Sequence, residues 1–258
     1  MRAFMKFAFL VFFLSFSIAA DDKTWEKQFS EWNARQVSSL LEDSPWCRTM
    51  TLGNVLQESG AIPDRVVVPS NRNRNEPRGH GLDQQTGITG EKEILHAYSV
   101  RLFSAPVVRQ GYARMRQLQN GYDKLPAEQQ RAWDDRLARL LNLDVSNRVV
   151  VSLDFASNTR EMPIEVNRQL ATATAASLKQ RAYLITARLG RIEVTDYVPP
   201  SGDGMGAKFV FPRLVSGQPL LTAADKELVF ELMVPGVEHK VFVTWNTARL
   251  MHAGSLEY

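Results

Sequence analysis

The stretch from Glu227 to Asn246 does most to fix the kind of fold this chain can adopt. Leu228, Phe230, Leu232 and Val234 alternate with Glu227, Val229, Glu231 and Met233; Pro235-Gly236 follows, and Val241, Val243 and Trp245 return on alternate positions. A period of two puts the first set on one face of a strand and the second set on the other. Pro235-Gly236 suits the two central positions of a type II turn, the second of which needs a positive φ. The segment therefore predicts an antiparallel hairpin with one dry face and one wet face.

The same alternation recurs upstream. Met50 and Leu52 alternate with Thr49, Thr51 and Gly53, and Ile94, His96, Tyr98, Val100 and Leu102 form a second run. Val149, Val151, Leu153 and Phe155 point one way, with Ser152 and Asp154 on the opposite face. Residues 182–188 and 191–197 flank Leu189-Gly190 and predict another hairpin, and Phe209 and Phe211 mark a further strand. Helical spacing appears between these runs. Trp25, Phe29, Trp32, Gln36 and Leu40, with Val37 and Leu41 beside them, predict one helix. Asp22 or Thr24 can cap it, and it should end near Asp43-Ser44-Pro45. Pro106 opens a helix carrying Val108, Tyr112, Met115 and Leu118, and Pro126 opens one carrying Trp133, Leu137, Leu140 and Leu141. These two should pack as a pair joined through Asn120-Gly121. A fourth helix runs from about Pro163 to Lys179, with Val166, Leu170 and Ala173 on one face. Helices interspersed early and hairpins dominating late predict an α+β fold: a mostly antiparallel sheet with three to four amphipathic helices in one domain.

The N-terminus gives an address. Arg2 and Lys6 precede an almost wholly apolar run from Phe7 to Ile18, then Ala19 and Ala20, then Asp21 and Asp22. That layout is a secretory signal peptide, residues 1–20, cleaved to leave a mature domain over 21–258. The apolar run is shorter than the roughly 20 residues that span a bilayer, and Cys47 is too distant to be a lipidation site. The chain is thus read as exported, periplasmic or extracellular, with no membrane span after cleavage. It ends in an aromatic, Tyr258, as outer-membrane barrels do, but its internal helices argue against a barrel. The chain carries a formal charge of +3; losing Arg2 and Lys6 brings it to about +1, too little for nucleic-acid binding. One cysteine, Cys47, allows no internal disulfide, so the fold rests on its core.

Most catalytic signatures are missing. His80, His96, His239 and His252 share no short spacing, and neither HExxH nor G-x-S-x-G occurs. Ser44 precedes a proline and reads as a turn or cap residue, while Cys47 and a distant histidine make a pairing of low specificity. Gly202, Gly204 and Gly206 resemble a phosphate cradle, yet they lead into a strand at Lys208–Phe211 where a cradle needs a helix. They read as a flexible connector. Glu161 and Glu165 sit at a helix start, Asp134 and Asp135 on a polar helix face, and Asp154 at a strand end. Two such acids act as a glycosidase pair only if the fold sets them across a substrate. No catalytic, cofactor or metal residue is assigned.

Residues 57–92 read as a mobile loop interrupted by Val66-Val67-Val68. From Ser70 to Gly81 it lacks any apolar anchor beyond Pro77. Its Arg72, Arg74 and Arg78, with His80, are the candidate contact for an acidic ligand or partner, and without interleaved aromatics they do not suit nucleic acid. Trp46 should be buried against the first helix, and Cys47 should be a buried, reduced thiol.

Several short segments complete the reading: Asp43-Ser44-Pro45-Trp46, Tyr98-Ser99-Val100-Arg101, Pro106-Val107-Val108-Arg109, Phe209-Val210-Phe211-Pro212-Arg213, Asp225-Lys226-Glu227-Leu228 and Gly254-Ser255-Leu256-Glu257. In these the chain resembles a family of exported bacterial proteins. The resemblance implies an exported single domain and no activity or catalytic residue. Two readings of function follow: a non-enzymatic protein that binds another envelope component, or a secreted or periplasmic hydrolase whose carboxylates are brought together by the fold.

Overall fold

The computed structural model describes residues 23–56, 66–68, 92–237 and 239–258. The segment read as a signal peptide, residues 1–20, and the stretch read as a mobile loop, residues 57–92, lie outside those residues, apart from the strand at 66–68 and Lys92. The fold is α+β, and its strand pairings are antiparallel throughout. Helix α1 (Ala34–Glu42) leads into β1 (Cys47–Leu56), β2 (Val66–Val68) and β3 (Lys92–Leu102). Then come α2 (Pro106–Gln119), α3 (Ala127–Leu141), β4 (Arg148–Ser157), α4 (Glu161–Thr172) and α5 (Ala175–Leu178). Strands β5 (Ala182–Thr186), β6 (Gly190–Glu193), β7 (Asp196–Val198) and β8 (Ala207–Pro212) follow, with a small ribbon of β9 (Leu214–Val215) and β10 (Gln218–Pro219). The long hairpin is β11 (Glu227–Met233) and β12 (Lys240–Asn246), before a last ribbon of β13 (Met251–His252) and β14 (Ser255–Leu256).

Six strands form one sheet in the order β2-β1-β3-β4-β8-β7, and four form another in the order β12-β11-β5-β6. The alternation seen in the sequence explains how they stack. Tyr98, Val100, Leu153, Phe209 and Phe211 lie on one face of the larger sheet, and Leu228, Phe230 and Leu232 on one face of the smaller. The faces meet through Phe230, whose ring centroid is 5.5 Å from Phe209 and 6.3 Å from Phe211. Helices α1 and α2 cover the opposite face of the larger sheet, where buried Arg101 donates to the Leu41 carbonyl at 2.6 Å and stacks on the Tyr112 ring. Helix α4 closes one end: Tyr197 on β7 donates to the Leu170 carbonyl at 2.7 Å, and Gln169 lies against Gly236. The layers are therefore helices, large sheet, small sheet. Among the described residues, no further layer lies over the outer face of the small sheet.

Four local expectations change in the folded chain. The single first helix is instead two 3-10 turns, Thr24–Glu26 and Phe29–Glu31, followed by α1. Asn33 is extended, its side chain accepts from Gln36 N–H and the Gln36 side chain accepts from Asn33 N–H, both at 3.0 Å. That capping box starts the helix afresh. The helix read from Pro163 to Lys179 breaks at Ala173, because Thr174 and Ser177 cap a separate turn in the same way. The strand read over 191–197 splits at Val194-Thr195 into β6 of the small sheet and β7 of the large one, with Thr195 N–H already bound to the Val210 carbonyl at 2.8 Å. The glycine connector is pinned rather than loose. Arg116 donates to the Asp203 carbonyl, Met205 N–H to the Asp203 carboxylate at 2.8 Å, and Lys208 to the same carboxylate at 3.1 Å.

The placement of Trp46 and Cys47 matches the sequence reading. Both are fully buried, and Trp46 meets Trp25 of the first turn edge to face at 5.5 Å. Burial pushes the Cys47 thiol up to about 11 from an ordinary 9.0, with the nearby Arg101 pulling the other way. The nucleophilic thiolate is thereby suppressed at neutral pH. Alkylation of the native protein is expected to be at least about tenfold slower than that of the urea-unfolded chain. Because the folded value is raised, the stability linked to the neutral thiol is present below 9.0 and lost as pH climbs from 9.0 toward about 11. A Cys47→Ala protein should lack that part of the alkaline loss, and equal labelling rates for native and unfolded protein would refute the placement.

Candidate functional site

The strand registers of the small sheet assemble a charged groove on its outer face. Glu231 stands opposite Phe242 on β12 and opposite Tyr183 on β5, and Met233 stands opposite Lys240. One strand further, Tyr183 faces Glu193 and Ile185 faces Arg191. These are the outward positions of four alternating strands, and their inward neighbours form the core. The Met233 N–H reaches the Arg181 carbonyl at 2.8 Å, which extends the ladder and places Arg181 beside Met233.

The groove has a volume of about 310 Å³, and Arg181, Arg191 and Lys240 line it with a single carboxylate, Glu231. Arg191 contacts that carboxylate at 2.9 Å and Lys240 at 3.0 Å, so one acid is held from both sides. The acid is tucked in: the Glu231 side chain is 12% exposed, against 59% for Arg191 and 51% for Lys240. The Arg191 guanidinium also lies 5.0 Å from the centroid of the Tyr183 ring. An arginine carries five N–H donors, so one carboxylate contact does not exhaust it. Arg181 pairs with no acid among the described residues. The lining thus carries three cations to one acid, beside the exposed apolar side chains of Met233 and Phe242, and Glu193 is the next acid on this face, opposite Tyr183.

A second polar cluster is buried between the sheets. His96 and His239 lie with ring centroids 5.0 Å apart, His96 Nδ1 is 2.9 Å from Ser157 Oγ, and Tyr98 Oη is 2.6 Å from His239 Nδ1. Tyr98 and His239 are 141 positions apart in the chain, which is why spacing along the sequence gave no hint of this meeting. Ser157 Oγ beside an imidazole has the outline of a nucleophile and base. Its oxygen, however, also accepts from Thr159 N–H at 3.1 Å and lies 3.1 Å from Thr159 Oγ1, which makes it the anchor of a local turn. Both histidines are core residues with hydroxyl partners.

The other candidates are dispersed. Asp154 lies within β4 rather than at its end and is paired with Arg101 at 3.1 Å. Glu165 bonds Arg168 and Gln169 along its own helix, which holds its carboxyl below the ordinary range through those hydrogen bonds. Asp134 accepts from Tyr122 Oη and Gln117, and His252 sits 3.0 Å from Glu257. Among the described residues, no group of three or more histidine, cysteine, aspartate or glutamate side chains is placed to hold a metal ion, and no helix is long and apolar enough to cross a membrane. Arg72, Arg74, Arg78 and His80 lie outside the described residues. The groove itself was missed by sequence reasoning, which assigns outward positions of a hairpin to solvent. The available signal was Glu231, an acid between Phe230 and Leu232 with a lysine and an arginine on neighbouring strands. Compared with known proteins, the chain matches no family model and has no significant match among curated proteins or solved structures.

Proposed function

We propose that the protein is a non-enzymatic binding protein that works outside the cytoplasm and engages another envelope component through the outer face of its small sheet. One observation carries this reading: among the described residues the outer face of the smaller sheet has no helix over it and presents a cationic groove next to exposed Met233 and Phe242. Charged groups around an apolar patch suit recognition, because the charges orient a partner and the patch supplies buried area. Among the described residues that line the groove, the one carboxylate, Glu231, is held by two cations rather than poised for proton transfer. Arg72, Arg74 and Arg78, which lie outside the described residues, are a second basic element of the sequence that would favour an acidic partner.

The extracytoplasmic address rests on the signal-like segment of the sequence. Intact-mass measurement of the exported protein should give a chain beginning at Ala20 or Asp21, and a product retaining Phe7 to Ile18 would remove the address. The binding role is tested by passing envelope extract over the immobilised mature protein and over Arg181→Glu/Lys240→Gln protein. A component retained by the first and lost from the second, with equal melting temperatures, supports it. An extract from which the unaltered protein retains nothing sinks it.

A further inference from the structure

Resting on that binding role, we infer that the groove receives the carboxylate of an aspartate or glutamate in a partner protein, presented next to an apolar side chain. Three features specify the occupant. The first is charge: Arg181, Arg191 and Lys240 face one carboxylate, Glu231, which is already held at 2.9 Å and 3.0 Å. An incoming anion thus meets a lining of three cations and one acid, and Glu231 offsets the repulsion between Arg191 and Lys240. The second is geometry. Arg191 is held between Glu231 and the Tyr183 ring, 5.0 Å away, so its planar fork is fixed in advance for a carboxylate. Fixing the donor beforehand lowers the ordering cost of binding.

The third feature is apolar. Phe242 is 50% exposed directly opposite Glu231, and Met233 is 41% exposed directly opposite Lys240. Single exposed apolar residues are ordinary, but these two flank the charged floor from adjacent strands. A phosphate or sulfate would satisfy the cations and leave both side chains in water. A peptide carrying an acid beside a leucine or phenylalanine covers both.

The test uses the full mature protein and a library of random peptides displayed on phage. Peptides enriched on the unaltered protein should contain Asp or Glu adjacent to an apolar residue. Their affinity should drop at least about tenfold on Arg181→Glu/Lys240→Gln protein and by a similar factor when the peptide acid becomes Asn or Gln, and it should fall as salt rises. Met233→Ser/Phe242→Ser protein, which keeps every charge, should also bind more weakly. Enriched peptides without an acid, or equal binding to the charge variant, would overturn the inference. So would displacement of the peptide by millimolar inorganic phosphate or sulfate but not by acetate. The broader role fails separately, when the unaltered protein retains no envelope component; a component retained equally by the unaltered and charge-variant proteins keeps a binding role and discards the groove.

Discussion

Trp46→Ala protein is expected to be less stable by about 3–5 kcal/mol, the range for truncating a fully buried tryptophan. The indole has no exposed surface, and it meets Trp25 at 5.5 Å and His252 at 6.0 Å, both edge to face. Its N–H donates to the Glu257 carbonyl at 3.0 Å. Alanine would remove the packing of two segments at once and leave that carbonyl to find another donor. Trp46→Phe separates the two contributions. Most of the apolar contact survives while the hydrogen bond does not, so the loss should shrink to about 1–3 kcal/mol. Urea unfolding followed by circular dichroism measures both variants, and an unchanged midpoint for Trp46→Ala would mean that the first turn and the C-terminal ribbon do not meet on this ring.

The second large effect is expected at Gly206. Its φ is +69°, a region that costs an ordinary L-residue roughly 1–2 kcal/mol. A methyl group there would also sit 2.2 Å from the Leu153 carbonyl oxygen and 2.7 Å from Asp154 Oδ1. The first of those atoms is backbone in the middle of β4, so relief requires the sheet or the turn to move. Movement of Asp154 would disturb its pair with Arg101, which is almost wholly buried. Gly206→Ala should therefore lose about 3 kcal/mol or more, as changes at strained, crowded backbone positions do. Gly202→Ala is the matched control: φ is +71° there too, but nothing lies within 4 Å of the added methyl. Equal losses at the two positions would show that conformation alone, and not the approach to β4, sets the cost.

The sequence disclosed the regular parts of this fold for a physical reason. In β12 the side-chain alternation and the burial coincide residue by residue, and in β11 Leu228, Phe230 and Leu232 pointed to the core unaided, whereas β4 is buried on both faces from Val149 to Leu153. Gly236 takes φ +70° as the turn after Met233 demands. The first helix was misread because Trp25, Phe29 and Trp32 fall at helical spacing although two separate short turns place them, Trp25 in the first and Phe29 and Trp32 at the two ends of the second. Periodicity cannot see Asn33 and Gln36 capping one another. The split at Val194-Thr195 was equally silent, since β6 and β7 are both short and the residue between them pairs with the other sheet. The groove was illegible for a deeper reason. Arg181, Arg191, Glu231 and Lys240 come from β5 and its approach, β6, β11 and β12, and only the registers bring them together. A sequence shows that each points outward without showing that they point at one another.

The hydrogen bond from Trp46 to the Glu257 carbonyl joins residues 211 positions apart, and it has neighbours of the same kind. His252 Nε2 lies 3.1 Å from the Trp25 carbonyl, and the Tyr258 hydroxyl donates to the Leu221 carbonyl at 3.1 Å. A chain made from its N-terminus onward must therefore hold its first aromatic cluster open until the final residues emerge. Closing so long a loop comes late, because its entropy is spent before any contact repays it. The segment around Trp25 and Trp46 is thus among the last parts to settle, and both indoles lack part of their cover until His252 and Glu257 are in place.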